Sequence, residues 1–204
     1  MLGYGVIAQF NTGLKSLDRS TKSANDRYLG QRTRIDDYLQ YAPAFSVYAL
    51  DLLGVEAKHN VLDRTLVMAS SHLLMGLTVQ TTKHTVGVLR PDGSNTKSFP
   101  SGHTATAFVG AHILFREYGD TNPWIGVAGY AAAIATGGLR VVNNKHWVSD
   151  VVAGAGIGIL IAEVAYLLLP AMSSIWTGAR KWKHATLFPI ISNRQYGLSI
   201  SYKW

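Results

Sequence analysis

The chain has 204 residues, of which 48% are hydrophobic and 15% are charged. That length suits one domain with a sizeable core. The charged fraction lies well below the roughly 25% of an ordinary soluble domain, which excludes intrinsic disorder and a coiled coil. The mean hydropathy of +0.10, however, is low for a protein made mostly of membrane spans. The composition therefore places the chain between the soluble and the membrane classes.

The net charge of +7 is concentrated at the two ends. Residues 1–35 carry six basic and two acidic side chains, and residues 171–204 carry five basic and no acidic ones. Nucleic-acid-binding proteins usually carry their positive charge on the folded body, so this distribution argues against a nucleic-acid partner. Basic ends suit contact with an anionic membrane surface, or are simply solvated tails.

The chain contains no cysteine, which excludes disulfides, thiolate chemistry and cysteine-based metal sites. Its first residues show no complete signal peptide. Residues 1–35 are rich in small polar and charged residues, which predicts an irregular or partly helical arm.

Five apolar segments with helical features follow the arm, and they predict an all-α bundle of about five core helices. They are residues 36–55, 63–83 with Asp63 as the N-cap, 101–118, 122–139, and 147–169 with an end before Pro170. Small residues in segments 128–138 and 153–158 predict close approach of helix backbones.

A membrane-spanning helix needs about 20 predominantly apolar residues. The uncharged runs 65–82, 124–139 and 151–162 are shorter than this or are interrupted by polar residues. They favour helices buried in a protein core, in a compact domain that lies at a membrane surface or dips into it. A polytopic protein, in which each helix crosses the membrane, is the alternative.

The last residues alternate strictly between apolar and polar from Tyr196 to Trp204, which predicts a strand. Paired with residues 186–191 across Ser192 and Asn193, it would form a small C-terminal β-hairpin. The predicted organisation is thus a basic arm (1–35), a helical domain (36–170) and a basic tail with the hairpin (171–204).

Three clusters near predicted helix ends carry side chains suited to phosphate chemistry. In the first, Lys83 and Arg90 are seven residues apart, and Pro91 favours a loop position for Arg90. A guanidinium binds phosphate through two parallel hydrogen bonds, and an ammonium adds a point charge. Basic residues at a helix end also complement the helix dipole, which is the simpler interpretation.

The second cluster, Pro100-Ser101-Gly102-His103, opens the third predicted helix. Backbone N–H groups at a helix start bind anions, Gly102 allows close approach, and Ser101 adds a hydroxyl. The alternative is a plain N-cap at Ser101 followed by a surface histidine.

The third cluster comprises Arg140, His146 and Asp150. On a helix, Asp150 would lie one turn from His146 and accept its ring N–H. The other ring nitrogen would then be available as a nucleophile or base. The same spacing also occurs in helices without a function.

The order and spacing of these motifs over about residues 60–170 resemble the type 2 phosphatidic acid phosphatase superfamily. That superfamily also includes bacterial class A acid phosphatases and vanadium haloperoxidases. One departure is Leu139, which stands where the family's third motif has a serine, so one hydroxyl contact to the phosphoryl group is absent.

The resemblance implies a role for each motif residue. His146 attacks the phosphorus and forms a phosphohistidine, Asp150 orients it, and His103 protonates the leaving oxygen and then activates water. The remaining residues bind the phosphate oxygens: Lys83, Arg90, Ser101, Gly102 and Arg140. No metal or other cofactor is implied, because three side-chain cations supply the positive charge that Mg²⁺ supplies elsewhere.

The expected protein is a phosphoric monoester hydrolase of a bacterial cell envelope, membrane-associated or periplasmic, with its active site facing the periplasm. Its partner would be a phosphorylated lipid or small phosphoester, such as phosphatidic acid, phosphatidylglycerol phosphate, undecaprenyl pyrophosphate or a lipid A phosphate. The alternatives are a vanadate-dependent haloperoxidase and a non-catalytic lipid-headgroup-binding protein. The sequence leaves the oligomeric state open.

Overall fold

The computed structural model describes residues 12–28, 33–182, 185–192 and 195–202, with side chains for 15–27 and 33–175. Two compact units are present, residues 1–166 and 167–204. The described residues form seven helices: α1 (Thr12–Tyr28), α2 (Ile35–Leu39), α3 (Ala42–Leu52), α4 (Val61–Val86), α5 (Gly102–Tyr118), α6 (Pro123–Val142) and α7 (Val148–Trp182). The prediction of a helical bundle is confirmed, and the domain boundaries at residues 35 and 170 stay predictions.

The second unit contains the end of α7 and two strands, β1 (Ala185–Ser192) and β2 (Gln195–Tyr202). The strands pair antiparallel, with Ala185 opposite Tyr202. Residues 193 and 194 lie outside the described residues, so the predicted hairpin turn stays a prediction. The predicted helix end before Pro170 is wrong, because α7 contains Pro170. Good helix formers on both sides of Pro170 allow the helix to continue despite the lost backbone donor.

Two predicted helix starts differ from the structure. The N-cap of α4 is Asn60 rather than Asp63, and the Asn60 side chain accepts a hydrogen bond from the Asp63 N–H at 3.0 Å. Segment 36–55 is divided into α2 and α3, and Pro43 lies in the first turn of α3, where a missing N–H costs nothing. The division makes α2 a short element of its own.

Helix α5 lies at the centre of the first unit and packs against α3, α4 and α6. Its side chains are apolar on nearly every side, as expected for a helix surrounded by others. Ala105, Val109 and Ile113 are fully buried.

Two glycines of α7 bring its backbone directly against that of α5. A Cβ atom at Gly158 would lie 2.6 Å from the Ala105 carbonyl oxygen, and one at Gly154 would lie 2.5 Å from the Ser101 carbonyl oxygen. The close approach predicted for segment 153–158 is therefore confirmed. It places the second and third turns of α7 beside the start of α5.

Two helices are long and apolar enough, by length and composition, to cross a membrane: Pro123–Val142 and Val148–Ile175. The prediction that each apolar run is too short is wrong for these two. The reason is that each helix continues beyond the uncharged run that the sequence shows. Several large apolar side chains on the helices are exposed: Leu73, Leu77, Trp124, Val127, Ile134 and Leu160.

Candidate active site

Four helix ends meet at one end of the bundle, where the Ser101 N–H donates to the Asp150 carbonyl at 3.1 Å and the Trp147 indole N–H donates to the Leu89 carbonyl at 2.8 Å. These ends are the last turns of α4 and α6 and the first turns of α5 and α7. All predicted site residues lie in these turns or in the loops next to them.

His146 lies in the connection between α6 and α7, whereas Asp150 lies in the first turn of α7. The assumption that both residues share one helix is therefore wrong. They nevertheless come together, with 3.6 Å between His146 Nδ1 and Asp150 Oδ2. This distance is slightly longer than a hydrogen bond, which is common for catalytic pairs without substrate. His146 is 2% exposed and Asp150 is 0% exposed.

Asp150 is fixed by hydrogen bonds from both neighbouring motifs. Its Oδ2 accepts from the Trp147 N–H at 2.9 Å and from the Ser98 hydroxyl. Its backbone carbonyl accepts from the Ser101 N–H at 3.1 Å. Ser98 is fully buried and was not predicted from the sequence, where it is only a polar residue two positions before Pro100.

Burial lowers the pKa of His146 to about 4, assisted by the nearby charges of Lys83 and Arg140 and opposed by Asp150. The imidazole is therefore neutral near pH 7, and a neutral imidazole carries the lone pair that a nucleophile needs.

The three predicted phosphate-binding cations lie close enough to influence one another. Lys83 is in the last turn of α4, which ends at Gly87 with φ of 62°, and the chain then continues to Arg90 in the loop. Burial, followed by the charge of Arg90, lowers the pKa of Lys83 to about 8. Burial and the charge of Arg140 likewise lower the pKa of Arg90. A multiply charged anion would relieve this repulsion.

Ser101 is the N-cap of α5, and its hydroxyl accepts from the Thr104 N–H at 3.4 Å. Ser101 is 0% exposed, so the capping interpretation is confirmed and a phosphate contact stays a prediction. The N–H groups of Gly102 and His103 lie in the first turn of the helix, where they have no intrahelical acceptor. They are suited to an anion at this helix end.

The two carboxylates of α2 contact residues predicted to bind and cleave the phosphoester. His103 Nε2 lies 3.0 Å from Asp37 Oδ1. Arg140 Nη1 donates to Asp36 Oδ2 at 2.6 Å and lies 3.5 Å from Asp37 Oδ1. Burial and Arg140 lower the pKa of His103, and Asp37 acts in the opposite direction. Neither carboxylate was predicted from the sequence, because both lie outside the three motifs.

Helix α1 lies against the connection that carries His146. Asp18 accepts from the Ser149 N–H at 3.1 Å and from the Ser149 hydroxyl at 2.7 Å. Asn25 donates to the Val141 carbonyl at 2.8 Å, and Asp26 accepts from Asn144 at 2.7 Å. The arm predicted from the sequence thus contributes a helix that contacts both ends of this connection.

The structure therefore brings Lys83, Arg90 and Arg140 together with His103, His146 and Asp150, and adds Ser98, Asp36 and Asp37. Within the ranges whose side chains are described, no group of three or more histidine, aspartate or glutamate residues could hold a metal ion.

Two relatives with assigned activities are similar to this chain. A lipid A 1-phosphatase from Porphyromonas gingivalis is 44% identical over 135 residues, which cover 66% of this chain and 30% of the relative. A lipid A 4'-phosphatase from Helicobacter pylori is 35% identical over 121 residues, which cover 56% of this chain and 54% of the relative. The chain therefore matches only part of the length of either relative.

Two solved structures share the fold. LpxE from Aquifex aeolicus superposes with a TM-score of 0.53 at 21% identity, covering 74% of this chain and 93% of that one. A transmembrane PAP2-type phosphatidylglycerolphosphate phosphatase from Bacillus subtilis superposes with a TM-score of 0.57 at 18% identity, covering 81% and 91%.

The family model of the PAP2 superfamily matches residues 64–173, a range that includes all three motifs. The match extends over more than half of the chain, and the helices in this range bring the motif residues to one end of the bundle. The resemblance noted in the sequence is thereby confirmed, and the chain belongs to the PAP2 superfamily.

Proposed function

We propose that the protein is a phosphatase of the bacterial cell envelope that removes a terminal phosphate from a phosphorylated lipid. The observation that carries this proposal is the buried, neutral His146 beside Asp150, at the same bundle end as three cations. A nucleophile of low pKa next to a site for a multiply charged anion is what phosphoryl transfer to a side chain requires.

The proposed reaction has two steps. Since Nδ1 of His146 faces Asp150, Nε2 attacks the phosphorus. A P–N bond forms while the P–O bond to the leaving group breaks, and His103 gives its proton to the leaving oxygen. His103 then takes a proton from water, which attacks the phosphohistidine and releases inorganic phosphate and free His146.

The cations stabilise the charge on the transferred phosphoryl group. The Nε atoms of Arg90 and Arg140 are buried and have no hydrogen-bond partner among the described residues. A phosphoryl oxygen would supply that acceptor, and Lys83 with the N–H groups of Gly102 and His103 would complete the set.

The names of the two relatives support a lipid phosphate as the substrate, with lipid A phosphates, phosphatidic acid, phosphatidylglycerol phosphate and undecaprenyl pyrophosphate as candidates. The exposed apolar side chains of α4, α6 and α7 support a location in the membrane. The periplasmic orientation of the active site is proposed from the family resemblance.

The test is phosphate release from a panel of these lipids by protein purified in detergent, with a His146→Gln variant. We expect His146→Gln to lose phosphate release from every lipid, because a glutamine amide has no nucleophilic ring nitrogen to attack the phosphorus. His72→Gln is the matched control. His72 lies in the middle of α4, its Nδ1 is 2.9 Å from the Met68 carbonyl oxygen, and it should tolerate the change. Full activity of His146→Gln would contradict the mechanism.

The same preparation tests the two alternative functions. Turnover of any phosphomonoester by the unmodified protein excludes a non-catalytic binding protein. Halide oxidation with added vanadate and peroxide, without phosphate release, would favour a haloperoxidase.

A further inference from the structure

The guanidinium of Arg140, at the end of α6, is bound to a carboxylate of α2. Arg140 Nη1 donates to Asp36 Oδ2 at 2.6 Å, and both side chains are buried. The other carboxylate oxygen, Asp36 Oδ1, accepts from the Asn143 side-chain amide at 2.9 Å. Each oxygen of Asp36 therefore has a donor from the last turn of α6 or from its C-cap, Asn143.

Asn143 also fixes the residues that precede α2. Its side-chain oxygen accepts from the Thr33 N–H at 3.1 Å, and its amide nitrogen donates to the Thr33 carbonyl at 3.0 Å. Helix α2 has only five residues, and so short a helix is not stable without tertiary contacts. The end of α6 therefore holds Asp36 in place, and Asp36 is a fixed acceptor for Arg140.

The contact with Asp36 uses only part of the hydrogen-bonding capacity of Arg140. A guanidinium has five N–H donors, and Asp36 accepts from Nη1. The Nε atom is buried and has no hydrogen-bond partner among the described residues. A buried donor without an acceptor is unfavourable, and a phosphoryl oxygen would supply the acceptor.

The other cations of the site make a fixed Arg140 harder to keep in place. Burial is the main cause of the lowered pKa values of Lys83 and Arg90, and the charge of Arg140 contributes to both. The same repulsion acts on Arg140, whose long side chain has many alternative rotamers. The buried carboxylate of Asp36 opposes this repulsion and selects one position of the guanidinium.

We propose that Asp36 is a positioning residue of the phosphatase site, which holds Arg140 by Nη1 so that its other donors bind the transferred phosphoryl group. This inference rests on the proposed function. Asp36 acts through Arg140 and does not itself contact the phosphoryl group. A guanidinium that is already oriented binds the phosphoryl oxygens without first losing its rotamer freedom.

The test is Asp36→Asn, which keeps the shape of the side chain and removes its charge. An amide replaces one of the two acceptor oxygens by a donor, so it cannot accept from both Arg140 and Asn143 in the same way. We expect kcat/KM for the best substrate of the lipid panel to fall by about tenfold to a hundredfold. The inhibition constant of inorganic phosphate should rise, because Arg140 is less well placed to bind it. An unchanged inhibition constant would overturn the inference.

Asp51→Asn is the matched control, because it breaks a second short Arg–Asp pair. Asp51 accepts from Arg64 Nη2 at 2.6 Å, and Arg64, like Arg140, is buried and has an unpartnered Nε. Arg64 lies about 28 Å from Lys83 along α4, at 1.5 Å per residue. Asp51→Asn should therefore lower the unfolding temperature but leave kcat/KM and phosphate inhibition as they are. An equal loss of kcat/KM in both variants would show that activity merely follows stability, and would overturn the inference.

A double variant tests whether Asp36 acts through Arg140. In an Arg140→Gln background, Asp36→Asn should cause no further loss of kcat/KM, because the guanidinium that Asp36 positions is gone. The full loss in that background would contradict the inference. Higher activity of Asp36→Asn than of wild type would also contradict it, since the carboxylate would then compete with the phosphate for Arg140. Absence of turnover by the wild type with every lipid phosphate would instead refute the proposed function.

Discussion

Two side chains of the site have pKa values far from their ordinary range, and both shifts originate mainly in burial. His146, with a pKa of about 4, stays neutral down to acidic pH. Lys83, with a pKa of about 8, loses its charge in mildly alkaline solution. His146, the proposed nucleophile, therefore stays neutral as the pH rises, whereas the positive charge that Lys83 brings to the proposed phosphate site decreases.

This difference predicts an alkaline rise in KM that depends on Lys83. As the pH rises through about 8, the free enzyme loses the Lys83 charge and should bind phosphate more weakly. Lys83→Arg should move this rise to higher pH, because a guanidinium stays protonated. The measurement is KM for phosphatidic acid in detergent between pH 7 and pH 10.

Lys58→Arg is a matched control, since Lys58 pairs with Asp120 away from the site. An identical KM profile for wild type and Lys83→Arg would show that Lys83 does not bind the substrate phosphate.

At the residue scale, the sequence identified the side chains inside the motifs and missed those that contact them. Asp37 and His103 are separated by 66 positions, and Asp36 and Arg140 by 104. Spacing rules describe neighbours within a helix turn or loop, so they cannot identify partners that only the packing of α2 brings close. Ser98 was missed for the same reason, because it lies in the loop before α5 and its partner Asp150, 52 positions away, lies in α7.

Helix α1 acts on the site through the connection that carries His146. Asp18 is 8% exposed and accepts two hydrogen bonds from Ser149 in the first turn of α7. A carboxylate at a helix start also interacts favourably with the helix dipole. Asp18 therefore fixes the position of Ser149, which is the residue before Asp150.

We predict that Asp18→Ala loosens this connection and lowers activity. Removal of such a cap costs about 1–2 kcal/mol. This free energy corresponds to roughly a tenfold loss of activity, because the geometry of the site depends on the contact between Asp18 and Ser149. Faster amide exchange across residues 143–149, measured by mass spectrometry, together with a lower kcat, is the expected result. Ser20→Ala, an exposed change on the same helix, is the control. Unchanged exchange in Asp18→Ala would contradict the role.

Close packing of α7 on α5 leads to a second prediction at this scale. Gly158→Ala should lower the free energy of unfolding by about 1–3 kcal/mol, because the new methyl group meets the Ala105 carbonyl. Gly138→Ala is the matched control. A Cβ atom there has no neighbour within 4 Å, and alanine is the better helix former. Thermal unfolding in detergent measures the stability of both variants. An equal change in stability for Gly158→Ala and Gly138→Ala would contradict the packing argument.

The positions of helix starts were predictable where the sequence has a residue type that is typical of a helix start. Ser101 and Pro123 mark the starts of α5 and α6 in the structure, as their residue types indicate. Pro170 misled the prediction, because a proline ends a helix only when the surrounding residues do not favour its continuation. The docking of α1 was not predictable, since its contacts reach residues more than 100 positions away.

For the whole molecule, the low mean hydropathy results from averaging unlike parts. The terminal segments are basic and polar, whereas α6 and α7 are strongly apolar. Some of the apolar side chains of these two helices, such as Trp124, Ile134 and Leu160, are exposed on the outside of the bundle. A single average over the chain therefore concealed two candidate spans.

We predict that the expressed protein stays in the membrane pellet after an alkaline carbonate wash and is released only by detergent. Apolar helices that lie in the bilayer resist such a wash, whereas attachment through the basic ends alone would be reversed by high salt. Release of active protein into the salt wash would contradict the membrane location.

The crowding of Lys83, Arg90 and Arg140 has a consequence for the product of the proposed reaction. A site that binds a phosphoryl group in the proposed reaction would also bind the inorganic phosphate that this reaction releases, so we expect product to compete with substrate. Turnover would then slow in phosphate-rich surroundings and quicken when phosphate is scarce.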